Sequence, residues 1–159
     1  MIWIPVTKVI YSMFLGGLIG FERELAQKPA GLRTHMLVAG SAALMIILGD
    51  ILIHNYNGGT VAHIIQADPI RIMEAIITGI SFLGAGTIIF KNQEETVEGL
   101  TTAASILFAS AIGIAVAIQQ YLLAGVLAIL AILVLFGMGY VERFITRLRP
   151  YVYGDKKED

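Results

Sequence analysis

The chain contains no cysteine in its 159 residues. Disulfides, iron–sulfur clusters, thiolate zinc sites and cysteine catalysis are therefore excluded. Charge is scarce as well: Asp, Glu, Lys and Arg make up 14% of the sequence, and the net charge is −1. No basic patch is interleaved with aromatics as a nucleic-acid groove requires, so nucleic acid is not an expected partner. G-x-S-x-G, P-loop, H-E-x-x-H and dinucleotide fingerprints are missing, and Ser, His and Asp lack the spacing of a triad. The expectation is a non-enzyme with no cofactor.

Apolar residues fill the space that charge leaves. They make up 57% of the chain, and the mean hydropathy of +0.78 lies outside the soluble globular range. A helix crossing the roughly 30 Å hydrocarbon layer needs about 20 mostly apolar residues. Five stretches meet that requirement: 2–21, 36–53, 72–90, 100–118 and 121–140. The fold class expected is all-α, a polytopic integral membrane helical bundle of five transmembrane helices. Residues 1–142 form its transmembrane domain and 143–159 a short charged cytoplasmic tail. The first stretch lacks a basic n-region and a small-residue cleavage site, so it reads as a retained span.

Nine of the eleven basic residues follow spans 1, 3 and 5, including Arg23, Lys28, Arg33, Lys91 and Arg143, while Lys8 and Arg71 lie near the other side. The positive-inside bias then predicts the N-terminus outside and the C-terminus cytoplasmic. The "QQ" at 119–120 predicts a tight antiparallel hairpin of spans 4 and 5. Loop 54–70 holds the turn signal "HNYNGGT", and Asp68-Pro69 is a helix start. At an offset of 68, Phe14-Leu15-Gly16 matches Phe82-Leu83-Gly84, Gly31-Leu32 matches Gly99-Leu100, and Thr34 matches Thr102. This predicts a parallel repeat of helices 1–2 and 3–4 about the membrane normal.

Ionisable groups within spans are costly and usually face an interior or a watery cavity. Glu22, Arg23 and Glu24 close span 1, and two readings stand. One is an interfacial cluster with local ion pairs. The other turns a carboxylate inward against Arg33, with Pro29 and Gly31 folding the connector back. Thr34 and His35 then complete an inner polar set able to hold an anion or a proton. Asp50, Asp68, Arg71 and Glu74 form an outer cluster. Asp50 and His54 are i,i+4, too few for a metal site. No metal site is expected, although Asp50 and Glu74 would attract Mg²⁺ if they shared a cavity. Arg71 and Glu74 otherwise read as an interfacial salt bridge. Lys8 reads as a snorkelling anchor. Gly16, Gly20, Gly79, Gly84 and Gly86 mark close helix packing or a helix break, and Thr101 and Thr102 a helix start.

In order along the chain run "GGLIGFERE" (16–24), "KPAGLRTHMLV" (28–38), "DPIRI" (68–72), "GISFLGAGTII" (79–89) and "GLTTAAS" (99–105). With these pieces the chain resembles the MgtC/SapB family over about residues 14–112. The resemblance implies a multi-pass protein of the bacterial inner (plasma) membrane, tied to growth at low magnesium and, in pathogens, to survival in macrophages. It also implies contact with membrane partners such as the ATP synthase. Direct Mg²⁺ transport does not follow from it. Three positions depart from the usual pattern: Glu74 stands for glutamine, Ser81 for glycine, and Phe108 lies where tryptophan is common. Some members carry a C-terminal cytoplasmic domain; here about 19 residues follow span 5, and functions needing that domain are expected to be missing. The functional expectation is stress adaptation through a small ligand or a membrane partner in the lipid bilayer, with a homodimer compatible with the glycine-rich faces. A Mg²⁺ or small-ion transporter and a structural scaffold are the alternatives.

Overall fold

A computed structural model describes residues 3–56, 68–91 and 96–152. Five helices run in the order α1 (Trp3–Leu25), α2 (Leu32–Tyr56), α3 (Pro69–Ala85), α4 (Leu100–Ala117) and α5 (Tyr121–Val152). Between α3 and α4 lies a short antiparallel hairpin of β1 (Ile89–Lys91) and β2 (Thr96–Glu98), in which Phe90 pairs with Val97. The "HNYNGGT" turn from residue 57 onward and the tail beyond residue 152 lie outside the described residues.

The bundle is an all-α membrane architecture. Trp3–Leu25, Leu32–Asn55 and Leu100–Ala117 are long and apolar enough to cross a bilayer, and Tyr121–Gly137 is apolar as well. Helices α1, α2 and α4 form the centre, with α5 against α1 and α4, and α3 against α4 and α2. Large side chains point outward, Phe82 at 85% exposure and Leu122 at 84%, whereas much of the interior is small: Ala39, Ala42, Ala43, Ala109, Ala124 and Ala128 are buried. That is the pattern expected when lipid is the solvent. Apolar surface gains little by leaving hydrocarbon, so helices associate by close packing.

The fifth helix runs past residue 140 to Val152, into the stretch read as a charged tail, and the third predicted span ends early. The helix begins at Pro69, behind Asp68, whose carboxylate caps it by accepting the Ile70 N–H at 2.9 Å. It stops at Ala85, with Gly86 as C-cap and Thr87 folding its hydroxyl back onto Gly84 O at 2.7 Å. Glycines at 84 and 86 weaken the helix, and the β-branched Thr87-Ile88-Ile89 that follows suits a strand better. Hydropathy alone carried the reading through to residue 90.

Two helix ends share one device. At the end of α1, Lys28 N–H bonds Arg23 O at 2.9 Å and Gln27 N–H bonds Glu24 O at 3.0 Å, with Gln27 at φ 53°. At the end of α4, Gln120 N–H bonds Ala115 O at 2.9 Å and Gln119 N–H bonds Val116 O at 3.0 Å, with Gln119 at φ 66°. Both are Schellman turns with glutamine where glycine is usual. They reverse the chain within a few residues, so the "QQ" connector does make a tight α4–α5 turn. Because a left-handed conformation strains an L-residue, Gln119→Gly is expected to stabilise the protein by about 0.5–1 kcal/mol. Thermal unfolding in detergent reads this as a raised midpoint; an unchanged or lowered midpoint would count against the strain.

Candidate functional site

The α1–α2 turn gathers the inner polar residues, though not in the pairing expected. Glu24 is exposed, and its Oε2 accepts the Leu32 N–H at 3.0 Å, capping α2 from the preceding helix. A carboxylate at a helix N-terminus satisfies an orphan donor and meets the positive end of the dipole. Gly31 makes room for it, since a Cβ there would run into the Glu24 carboxylate. Arg33, one residue into the helix, is exposed and forms no ion pair with Glu22 or Glu24; Thr34 is half-buried. The carboxylate–Arg33 pair of the sequence reading is therefore replaced by a carboxylate–backbone cap.

His35 is fully buried at 0% exposure. Its Nδ1 lies 2.9 Å from Gly31 O and its Nε2 3.0 Å from Ser105 Oγ on α4. A carbonyl only accepts, so Nδ1 carries a proton and donates to Gly31 O. Ser105 Oγ also lies 2.9 Å from Thr102 O. With a neutral ring, the single hydroxyl proton has two acceptors, Nε2 and Thr102 O, and serves one at a time. With a doubly protonated ring, Nε2–H donates to Ser105, Ser105 donates to Thr102 O, and every bond is filled. This chain of donors ties α2 to α4. Ser105→Ala leaves a buried ring nitrogen without its partner and is expected to cost about 1–2 kcal/mol of stability. Chemical unfolding in detergent measures it, and a change near zero would mean that the tie contributes nothing.

Glu22 and Arg23 are buried, at 7% and 4% exposure. Arg23 Nε lies 3.5 Å from Glu22 Oε2, and neither atom has a hydrogen-bond partner. The N-cap of α4 is Gly99 at φ 91°, with no side-chain cap, where a Cβ would strike Thr87 O. The cap position is thus neither of the predicted threonines. Thr101 is exposed, and Thr102 is buried with its carbonyl facing Ser105. Among the five predicted glycines, Gly16 and Gly20 sit against α2 and its leading turn, a Cβ at Gly84 would make ordinary contact with Ala103, Gly86 is the C-cap of α3, and a Cβ at Gly79 would meet nothing within 4 Å.

At the other end of the bundle the expected outer cluster disperses. Asp68 serves as the α3 cap. Arg71 and Glu74 are exposed and form no salt bridge with each other. Asp50 lies 3.3 Å from His54 Nδ1 through its Oδ1. It also lines a cavity of about 460 Å³, together with Lys8, Gln119 and an aliphatic wall; Glu74 does not line it. Among the described residues no cluster of three or more His, Cys, Asp or Glu could hold a metal ion. Lys8, expected to act as an anchor, donates to Ala117 O at 3.0 Å, where it satisfies a C-terminal carbonyl of α4.

Membrane-length apolar helices packed through small residues, with polar groups gathered at the two helix ends, define a helical membrane protein. Within that class the chain belongs to the MgtC family, whose profile matches residues 9–144. It is 36% identical over 142 residues to an uncharacterized protein of Haemophilus influenzae, covering 89% of this chain and 58% of that protein. It is 37% identical over 135 residues to YhiD of Escherichia coli K12, named as a candidate magnesium transporter, covering 82% and 58%. To protein MgtC of Brucella abortus the identity is 38% over 118 residues, covering 72% and 44%. The chain thus spans about half the length of the curated relatives it matches. No solved structure matches it.

Proposed function

We propose that the protein acts in adaptation to low magnesium or related stress as a multi-pass inner-membrane protein. In this reading it binds a small ligand or a membrane partner and neither catalyses a reaction nor conducts an ion. One observation carries the reading: the polar groups at the two ends serve separate local structures, and between them lie packed apolar residues and two serines, Ser12 and Ser110, whose hydroxyls turn back onto carbonyls of their own helices. His35 and the cavity residue Ile47 are roughly 18 Å apart along α2, from the rise per helical residue. Between these levels Ala39, Ala43, Ile112 and Val116 are fully buried, and the backbone of Gly113 closes against Ala39 O. Family membership supplies the magnesium context. The N-out, C-in orientation and the parallel repeat of α1–α2 on α3–α4 belong to the same proposal.

The name of the Escherichia coli relative favours a second reading, transport of Mg²⁺ with Asp50 in the pathway. Two assays of the full chain, one on purified protein and one in cells, separate the readings. The first expects Mg²⁺ entry into proteoliposomes at the rate of protein-free vesicles. The second expects the same chain to restore low-Mg²⁺ growth to a bacterium lacking its own family member. Uptake above that baseline that disappears in Asp50→Ala would overturn the ligand-or-partner reading in favour of transport.

A further inference from the structure

The cavity at the α4–α5 end is lined by two opposite charges that do not pair with each other. Lys8 is half-buried and donates to Ala117 O. An ammonium has three donors, so that one bond leaves two for the cavity. Asp50 faces the cavity from α2, and its carboxylate is loosely engaged. His54 Nδ1 lies 2.9 Å from the Asp50 backbone carbonyl but 3.3 Å from Oδ1, and a single ring N–H is better placed for the former. The Gln119 amide adds a neutral polar group, and Ile4, Ile47 and Ile72 contribute to a branched aliphatic wall.

We propose that this cavity binds a zwitterionic aminophospholipid, of phosphatidylethanolamine type. The phosphate sits at Lys8, the headgroup ammonium at Asp50, and the upper acyl chain along the isoleucines. Each simpler occupant leaves something uncompensated. A divalent cation alone meets the Lys8 ammonium, an anion alone meets the Asp50 carboxylate, and a water-soluble zwitterion leaves the aliphatic wall unused. The depth fits as well. Lys8 lies five residues into α1 from Trp3, roughly 8 Å along the helix, and tryptophan is a residue of the membrane interface. The size is that of a ligand site, within the range of about 300–1,000 Å³.

The test is thermal unfolding of the full chain in a lipid-free detergent with added probes: dioleoyl phosphatidylethanolamine, dioleoyl phosphatidylglycerol, or soluble phosphoethanolamine. Phosphatidylethanolamine is expected to raise the midpoint by roughly 5 °C at saturation, and the other two by much less. Asp50→Asn, an exposed substitution that leaves the fold intact, is expected to weaken the phosphatidylethanolamine effect roughly tenfold in concentration and to erase its advantage over phosphatidylglycerol. Lys8→Gln is expected to weaken both phospholipids. Equal stabilisation by the two phospholipids in the parent chain would overturn the proposal, as would an Asp50→Asn variant that keeps the preference. Phosphoethanolamine matching the lipid would overturn the lipid as the ligand.

Discussion

Gly20→Ala is expected to destabilise the bundle by about 3 kcal/mol and to deplete folded protein from detergent extracts. The added Cβ would sit 2.7 Å from Gly31 O, 2.7 Å from Leu32 Cα and 2.9 Å from His35 Cβ. Two of these are backbone atoms of the turn that positions α2, so no side-chain rotation relieves the clash. Moving the turn would also disturb Glu24, which caps Leu32, and His35, which bonds Gly31 O. Gly16, at the α1–α2 crossing, and Gly113, at the α2–α4 crossing, predict the same outcome. A Cβ at Gly16 would lie 2.5 Å from His35 O, and one at Gly113 would strike Ala39 O. Separating the helices yields no compensation, because in lipid the exposed apolar surface is as well solvated as before and only contacts are lost. Gly79→Ala is the control: it meets nothing within 4 Å and should be neutral or stabilising by up to about 1 kcal/mol. Unfolding midpoints of the four variants decide the matter. Equal effects at Gly20 and Gly79 would show that the α1–α2 crossing is not close-packed.

The same contrast shows what a sequence of this kind reveals. Helix number and approximate placement were legible, because long apolar runs separated by charged connectors leave few other solutions in a bilayer. Glycine positions were legible as a set, but not which of them face a neighbour. That depends on the rotational setting of each helix, and nearly all-apolar helices carry little periodic signal of it. The end of α3 was misplaced because Thr87-Ile88-Ile89 is as hydrophobic as a span while preferring extended backbone. The polar residues at the helix ends take partners other than those the sequence suggested. Glu24 takes a backbone N–H, which has no sequence signature. His35 takes Ser105, a partner 70 residues away inside the quoted "GLTTAAS". Lys8 takes a carbonyl of α4, so nothing in its own neighbourhood announced a cavity.

Glu22→Gln is expected to cost about 3–5 kcal/mol, the cost of leaving one buried charge without its counter-charge. Both members of the pair are nearly withdrawn from solvent, their side chains 9% and 5% exposed, with 3.5 Å between Glu22 Oε2 and Arg23 Nε. Consecutive helical residues project in different directions, so the two heads approach only through these two buried atoms. Neither atom has another partner to take over. The guanidinium stays protonated in any folded protein, so the glutamine variant holds a permanent buried cation. The single Arg23→Met strands the carboxylate and should cost a similar amount. The double variant Glu22→Gln/Arg23→Met removes both charges, and a neutral buried pair of similar size is often tolerated. Its loss is therefore expected to be smaller than that of either single change, giving a coupling energy of several kcal/mol, measured by denaturant unfolding in detergent. A coupling near zero would mean that each charge finds water or lipid headgroups on its own. A large coupling would explain why two glutamates stand in a loop whose membrane orientation requires only its basic residues: Glu24 caps α2, and Glu22 neutralises the arginine that packing has drawn inside.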